Sequence, residues 1–287
     1  MKKNLLLVGA LVSAFLFASC SGGSKSKETS TVTTSEMENA TEVVKYYGLS
    51  LSVLRSMVVE KNVNAVLGYM EQEGKAPVVP AIAPPAISQK DSAALMQPGS
   101  YFNEATQANL KQNFAGLFKS RTQFYANFDT YLSYLKAKDL ANAKKLLDVN
   151  TQLSTEMTEY KQNIFDILSP FTEQAEEILL ADNPLKDQVM AVRKMSATMQ
   201  SIVNLYAGKY IMDGTRIDLK TTELIAQLKA AKELPAVTGH EADMKSFQAF
   251  LGQVDSFIKK VQQARQKGTY SEQDYDDLVS AYGIGII

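Results

Sequence analysis

From residue 36 onward, apolar side chains recur at spacings of three and four, the period that places them on one face of an α-helix. Val44, Tyr47, Leu51, Leu54 and Val58 form a first stripe, which Val63, Leu67 and Met70 extend toward Gly74. A second runs Leu117, Phe124, Phe128, Tyr131 and Leu135, passing over Arg121. The third comprises Leu146, Asn150, Leu153, Met157, Tyr160, Ile164, Ile167 and Phe171. Its one polar member, Asn150, is the kind of residue that sets register against a partner helix. Val192, Met195, Met199, Ile202 and Tyr206 make a fourth stripe, and Met244, Phe247, Leu251, Val254, Ile258 and Val261 a fifth. No alternating run of β-branched residues exceeds a few positions. The pattern predicts an all-α protein, an elongated bundle of about six to seven helices with a long Pro-rich loop.

Breakers agree with these stripes. Pro184 suits the start of the fourth helix, and Asp213-Gly214 its end. A shorter helix from Ile217 to Glu233 stops before Pro235. Gly239 precedes the next helix, and Lys267-Gly268 closes it with positive charge and a left-handed cap. Ser271-Glu272-Gln273-Asp274 has the spacing of a capping box for a last short helix. Pro170 lies inside the third stripe, so that helix should kink or break near Ser169.

Lys75 to Ser100 departs from the helical period and holds Pro77, Pro80, Pro84, Pro85 and Pro98 of the chain's 8 prolines. A connection this long in a bundle is functional or laid over the surface. Proline at these spacings favours an extended polyproline II path that presents apolar side chains. Pro77, Pro80, Pro84 and Pro85 are therefore the candidate contacts for a protein partner.

The first 35 residues cannot join a core. Met1-Lys2-Lys3-Asn4 is basic, and Leu5 to Ala18 is apolar or small throughout. That run falls short of the roughly 20 apolar residues of a transmembrane helix and fits the hydrophobic stretch of a secretory signal. Residues 1–19 are read as that signal. Ser21 to Ser35 is almost wholly Ser, Thr, Gly and Lys, so residues 20–35 are a flexible tether with an r.m.s. span of roughly 20 Å. Residues 36–287 are the helical domain.

Composition removes several chemistries. The 287 residues carry 30 Lys+Arg against 31 Asp+Glu, a balance without the basic face that nucleic-acid binding needs. With 1 His and 1 Cys, the chain has no His/Cys metal cage and no Ser-His-Asp or Cys-His arrangement. No cofactor is implied. His240, between Gly239 and Glu241, is expected in a solvated first helical turn. Glu173, Glu176 and Glu177 lack the Glu-x-x-His partner of a di-iron bundle. Asp274, Asp276 and Asp277 lack the glycine and distal Glu of a calcium loop. Both acidic clusters read as solvated faces. Met190, Met195, Met199 and Met212 could suggest a soft-metal site, but Met195 and Met199 share the core stripe, so the group reads as packing. The chemistry points away from an enzyme.

Three resemblances add to this. Leu16-Phe17-Ala18-Ser19-Cys20 resembles the lipobox of bacterial lipoproteins, with Phe17 where Leu is usual. It implies cleavage before Cys20 and acylation of that residue, which would anchor the protein to a membrane by fat. Being the sole cysteine, Cys20 has no intramolecular disulfide partner. Asp91-Ser92-Ala93 resembles the short O-glycosylation site of Bacteroidetes envelope proteins and makes Ser92 a candidate modification site. Ala40 to Leu49 (ATEVVKYYGL) and Tyr275 to Gly283 (YDDLVSAYG) resemble the opening and closing helices of the YiiG-like bacterial lipoproteins, a family of unknown function. Gly283 stands where that family has Asn.

The expected protein is a lipid-anchored envelope protein whose helical domain acts by protein or ligand binding. Its expected contacts are the membrane, through Cys20, and another envelope protein. Binding of an apolar molecule in an inter-helix cavity is the alternative, followed by a carboxylate-dependent hydrolase. Surface-exported Bacteroidetes lipoproteins tend to carry acidic residues just after the lipidated Cys; Ser21 to Lys25 has none, so the lipoprotein resemblance implies the periplasmic face of the outer membrane.

Overall fold

The computed structural model describes residues 33–73, 75, 78–82, 86, 88–207 and 213–282. Those residues form nine helices: α1 (Thr34–Met57), α2 (Glu60–Glu71), α3 (Gln89–Leu95), α4 (Glu104–Lys136), α5 (Leu140–Leu179), α6 (Lys186–Tyr206), α7 (Gly214–Lys232), α8 (Glu241–Lys267) and α9 (Glu272–Tyr282). No strand occurs among the described residues. The all-α expectation holds. The count exceeds six or seven because the first stripe is two helices, broken at Val58–Val59, and because the Pro-rich segment contains α3.

The chain divides into two compact units. A central unit takes residues 45–168 with Ala207, and a C-terminal unit takes 33–44, 169–206 and 213–282. The division runs through α1, between Val44 and Lys45, and through α5, between Leu168 and Ser169.

In the central unit, helix ends and buried aromatics set the packing. The hydroxyl of Tyr46 donates to the Leu95 carbonyl at 2.8 Å, joining α1 to the end of α3. Its ring lies edge-on to Phe102 and Phe114, with centroids 5.4 and 6.5 Å away. Burial of such rings contributes about 1.5–3 kcal/mol each. The buried ridge of α1 is Tyr46, Ser50, Val53, Leu54 and Met57, whereas Tyr47 and Leu51 of the expected stripe are half-buried. Ser50 conceals the ridge in the sequence: it is fully buried, and its hydroxyl donates to the Tyr46 carbonyl one turn back. At the crossing of α4 and α5 a Cβ on Gly116 would stand 2.4 Å from the Tyr160 ring, so glycine sets that close approach. Asn150 behaves as its stripe implies. It is fully buried, accepts from the Asn127 amide at 3.0 Å and donates to the Phe124 carbonyl at 3.0 Å, joining α5 to α4.

In the C-terminal unit α6 packs against α7, α8 and α9, and α8 packs against α7 and α9. Met190, Met195 and Met199 are core residues. The α8 stripe is buried at Phe247, Leu251, Val254, Ile258 and Val261. Asp213-Gly214, expected to end the fourth helix, instead opens α7, because the Asp213 carboxylate accepts from the Arg216 amide at 3.0 Å, while α6 ends at Tyr206.

α5 passes through Pro170 without a break in helical assignment. Proline forfeits one backbone hydrogen bond, and burial of the apolar Leu168 and Ala175 on either side helps to offset that loss.

Candidate functional site

Of the residues singled out from the sequence, Cys20, Pro77, Pro84, Pro85 and Met212 lie outside the described residues. Pro80 is half-buried, and Val78 and Val79 beside it are exposed. Ser92 lies within α3, where its hydroxyl donates to the Gln89 carbonyl at 3.1 Å. His240 is the N-cap of α8, with Nδ1 3.1 Å from Asp243 Oδ2 and both side chains partly exposed. These residues do not share a site.

Two acidic clusters read as solvated faces each contain a buried member. Glu176 is 6% exposed and pairs with the Arg193 side chain at 3.2 Å, next to a Glu173–Lys194 pair between the same two helices. Burial pushes the Glu176 carboxyl up, against the opposing pull of Arg193. Asp274 is the second, and it lies in a cleft.

That cleft opens between α8 and α9, has a volume of about 430 Å³, and is lined by Lys260, Gln263, Gln266, Lys267, Asp274 and Asp277. The α8 wall follows from helical spacing, since Lys260, Gln263 and Lys267 are at i, i+3 and i+7 beside the buried stripe. Gly268, at φ 70°, ends α8 in the left-handed conformation, and α9 begins four residues later. Ser271 Oγ accepts from the Asp274 amide at 3.2 Å, half of the capping box that the sequence suggested. The other half is diverted. The Asp274 carboxylate instead receives the Lys267 ammonium through Oδ1. Asp274 Oδ2 is buried without a hydrogen-bond partner, and so is the Tyr206 hydroxyl at the end of α6. Burial, then the charge of Asp274, pushes the Tyr206 phenol up. On α8 next to the cleft residues, Arg265 reaches α7 with a bidentate pair, donating to both Asp218 oxygens at 2.9 and 3.0 Å. That pairing holds the Asp218 carboxyl below its usual range. A Cβ on Gly214 would stand 2.5 Å from the Arg265 guanidinium, so glycine admits it.

The central unit holds a second charged group, at the break between α1 and α2. Lys161 Nζ is 3.3 Å from Glu60 Oε1, both nearly sealed from solvent. Arg121 Nε donates to the Met57 carbonyl at 2.9 Å, neutralising the negative end of α1, and its guanidinium stands over the Tyr125 ring at 5.4 Å. Burial pulls Arg121 down and pushes Tyr125 up. These charges serve one another and a helix end, so the group is architectural.

The residues that sequence inspection passed over share one signal. Glu60 is three before Val63, Arg121 lies between Leu117 and Phe124, Lys161 between Met157 and Ile164, and Asp274 four before Leu278. Each is a charge in phase with an apolar stripe.

Among the described residues no group of three or more His, Cys, Asp or Glu is arranged to hold a metal, and no helix is long and apolar enough to cross a membrane. A comparison with curated proteins returns no match. Among solved structures, an alpha helical protein from Bacteroides fragilis is 68% identical, with a TM-score of 0.82 over 88% of this chain and 98% of that one. An uncharacterized DUF3829-like protein from Bacteroides thetaiotaomicron is 53% identical, with a TM-score of 0.79 over 88% of this chain and 100% of that one. Residues 184–287 match the C-terminal domain of DUF3829-like proteins. Residues 34–182 match the domain of unknown function DUF6845, and the chain belongs to that helical family.

Proposed function

We propose that this protein is an envelope lipoprotein, anchored by acyl chains on Cys20 at the periplasmic face of the outer membrane, whose helical part acts by binding and not by catalysis. The observation that carries the reading is the N-terminal pattern: a basic start, an apolar run of signal length, Ala18-Ser19 and then the chain's sole cysteine. Two or more long acyl chains make anchoring effectively permanent, since each buried methylene contributes about 0.8 kcal/mol. The YiiG-like resemblance belongs to the same reading, because it rests on a lipobox followed by a tether and a Tyr-containing helix. The α8–α9 cleft supports the binding half, and its lining of ammonium, amide and carboxylate groups suits a polar occupant better than an apolar one.

Metabolic labelling with an alkynyl fatty acid tests the anchor. The wild-type chain should take up label and fractionate with membranes, and Cys20→Ala should lose both properties. Label retained in Cys20→Ala would overturn the anchor. Degradation of the wild-type protein by protease added to intact cells would overturn the periplasmic placement. Cross-linking and affinity capture should recover an envelope protein with wild type and lose it when Lys75–Ser100 is deleted. That result, with the deletion variant's helical circular dichroism and cooperative unfolding retained even though the Tyr46–Leu95 bond is lost, would identify the Pro-rich segment as the contact.

A further inference from the structure

Asp274 is unusual among the acids of the C-terminal unit. Its side chain is 8% exposed, yet one oxygen is satisfied only by Lys267, whose own side chain is 56% exposed. Its second oxygen is buried with no hydrogen-bond partner, and so is the hydroxyl of Tyr206. Buried polar atoms are nearly always partnered, so the orphaned carboxylate oxygen of a cleft-lining acid calls for a group that brings several N–H donors. An ammonium brings three and carries the charge that a buried carboxylate lacks. Lys267 already shows the preference, because its ammonium occupies Oδ1 from the cleft side. Across the cleft, Lys260, Gln263 and Gln266 make no hydrogen bond or ion pair among the described residues, leaving one cation and two amides uncommitted. A carboxylate is the ligand group that uses them.

Resting on the reading that the helical part acts by binding, we propose that the α8–α9 cleft takes a small zwitterion, with an ammonium and a carboxylate on one short molecule, as in a free amino acid or a dipeptide. The ligand's ammonium displaces that of Lys267 and reaches Asp274. Its carboxylate lies against Lys260 and the two glutamine amides. Lys267 is then a place-holder that keeps the site neutral when it is empty, and a volume of about 430 Å³ accommodates a molecule of this size.

The test is calorimetric titration of the full chain, extracted in detergent, with L-alanyl-L-alanine, its N-acetyl form, its C-terminal amide and L-alanine as probes. The dipeptide should bind saturably with a Kd below about 1 mM. N-acetylation should weaken it by about tenfold or more, and amidation by a smaller factor. L-alanine binding as tightly as the dipeptide would assign the site to the amino acid, and weaker binding would assign it to the peptide. Asp274→Asn should abolish binding. Lys267→Met should tighten it severalfold by removing the competing ammonium, a gain that no misfolded variant can imitate. Lys260→Met should erase the difference between the dipeptide and its amide. The proposal is overturned if neither zwitterion gives saturable heat, if the N-acetyl form binds equally, or if folded Lys267→Met binds more weakly. It is also overturned if a crystal soaked with the dipeptide holds only a water at Asp274. Such a failure would leave fatty-acid labelling and envelope capture untouched, so it is distinguishable from failure of the anchored-binding reading.

Discussion

The two units handle buried charge in opposite ways. In the central unit both members of the Glu60–Lys161 pair are sealed, with side-chain exposures of 5% and 9%, and Arg121 is spent on the Met57 carbonyl. In the C-terminal unit the Lys267–Asp274 pair joins a buried carboxylate to an exposed ammonium, and one carboxylate oxygen is left over. A sealed pair cannot exchange partners without breaking the core around it, so it acts as architecture. A half-exposed pair exchanges its outer partner at low cost, because the departing ammonium regains its hydration. The contrast separates charges that hold the protein together from charges available to a ligand.

The largest effect should come from the sealed pair. Lys161→Met strands Glu60 in the core and should cost about 3–5 kcal/mol, measured by denaturant unfolding. Adding Glu60→Leu should recover most of that loss, since replacing both charges removes the desolvation penalty. Lys267→Met should cost less than Lys161→Met, because Asp274 borders the open cleft and water can take the place of the departed ammonium. A loss as large as that of Lys161→Met would erase the distinction between the units.

Packing comes next. Gly116→Ala drives a methyl into the Tyr160 ring of the central unit and should cost about 1–3 kcal/mol. Gly252→Ala on α8 of the C-terminal unit meets nothing within 4 Å and should be neutral or slightly stabilising by helix propensity. Thermal unfolding of the two variants checks both.

The alkaline limb distinguishes the units more finely. Burial pushes the Tyr46 and Tyr125 phenols up in the central unit and the Tyr206 phenol up in the C-terminal unit. A raised folded value means that the folded state holds its proton more tightly than the unfolded state. Stability from these groups is therefore complete below about pH 10 and falls as pH rises through that value. Tyr46→Phe should flatten the alkaline decline and cost about 1 kcal/mol at neutral pH, because the hydrogen bond to Leu95 is lost. Circular dichroism against pH, with tyrosinate absorbance followed in parallel, checks the sign.

The smallest effects should be equal in the two units. Asn103→Ala removes the cap of α4 and Asp213→Ala that of α7, each costing about 1 kcal/mol. A large asymmetry between these caps would mean that the units differ in overall stability and not merely in their use of charge.

The stripe of α8 is legible because six apolar residues at helical spacing have no competing arrangement, and five of them are buried. The ridge of α1 is less legible, because two adjacent rows are both apolar and the buried one contains Ser50. Helix α3 is hidden by the prolines around it, although Ser88 caps it through the Asp91 amide at 3.3 Å. The candidate cleft is the least legible. Asp274 precedes Asp276 and Asp277 in the sequence, and only its spacing of four from the buried Leu278 sets it apart from those two acids.

Helical class, the core stripes, the caps at Gly268 and Ser271, and the signal-like N-terminus with its lone cysteine all follow from local rules. Periodicity, propensity and composition act within a few residues, so they can be read along the chain. The pairing of Glu60 with Lys161, 101 positions away, and of Arg265 with Asp218, 47 away, arises when separate helices bring their faces together. The same holds for the orphaned oxygens of Tyr206 and Asp274. Whether a charge is sealed, spent or left open depends on what packs over it, and burial and desolvation belong to the folded surroundings of a side chain and not to its neighbours in sequence.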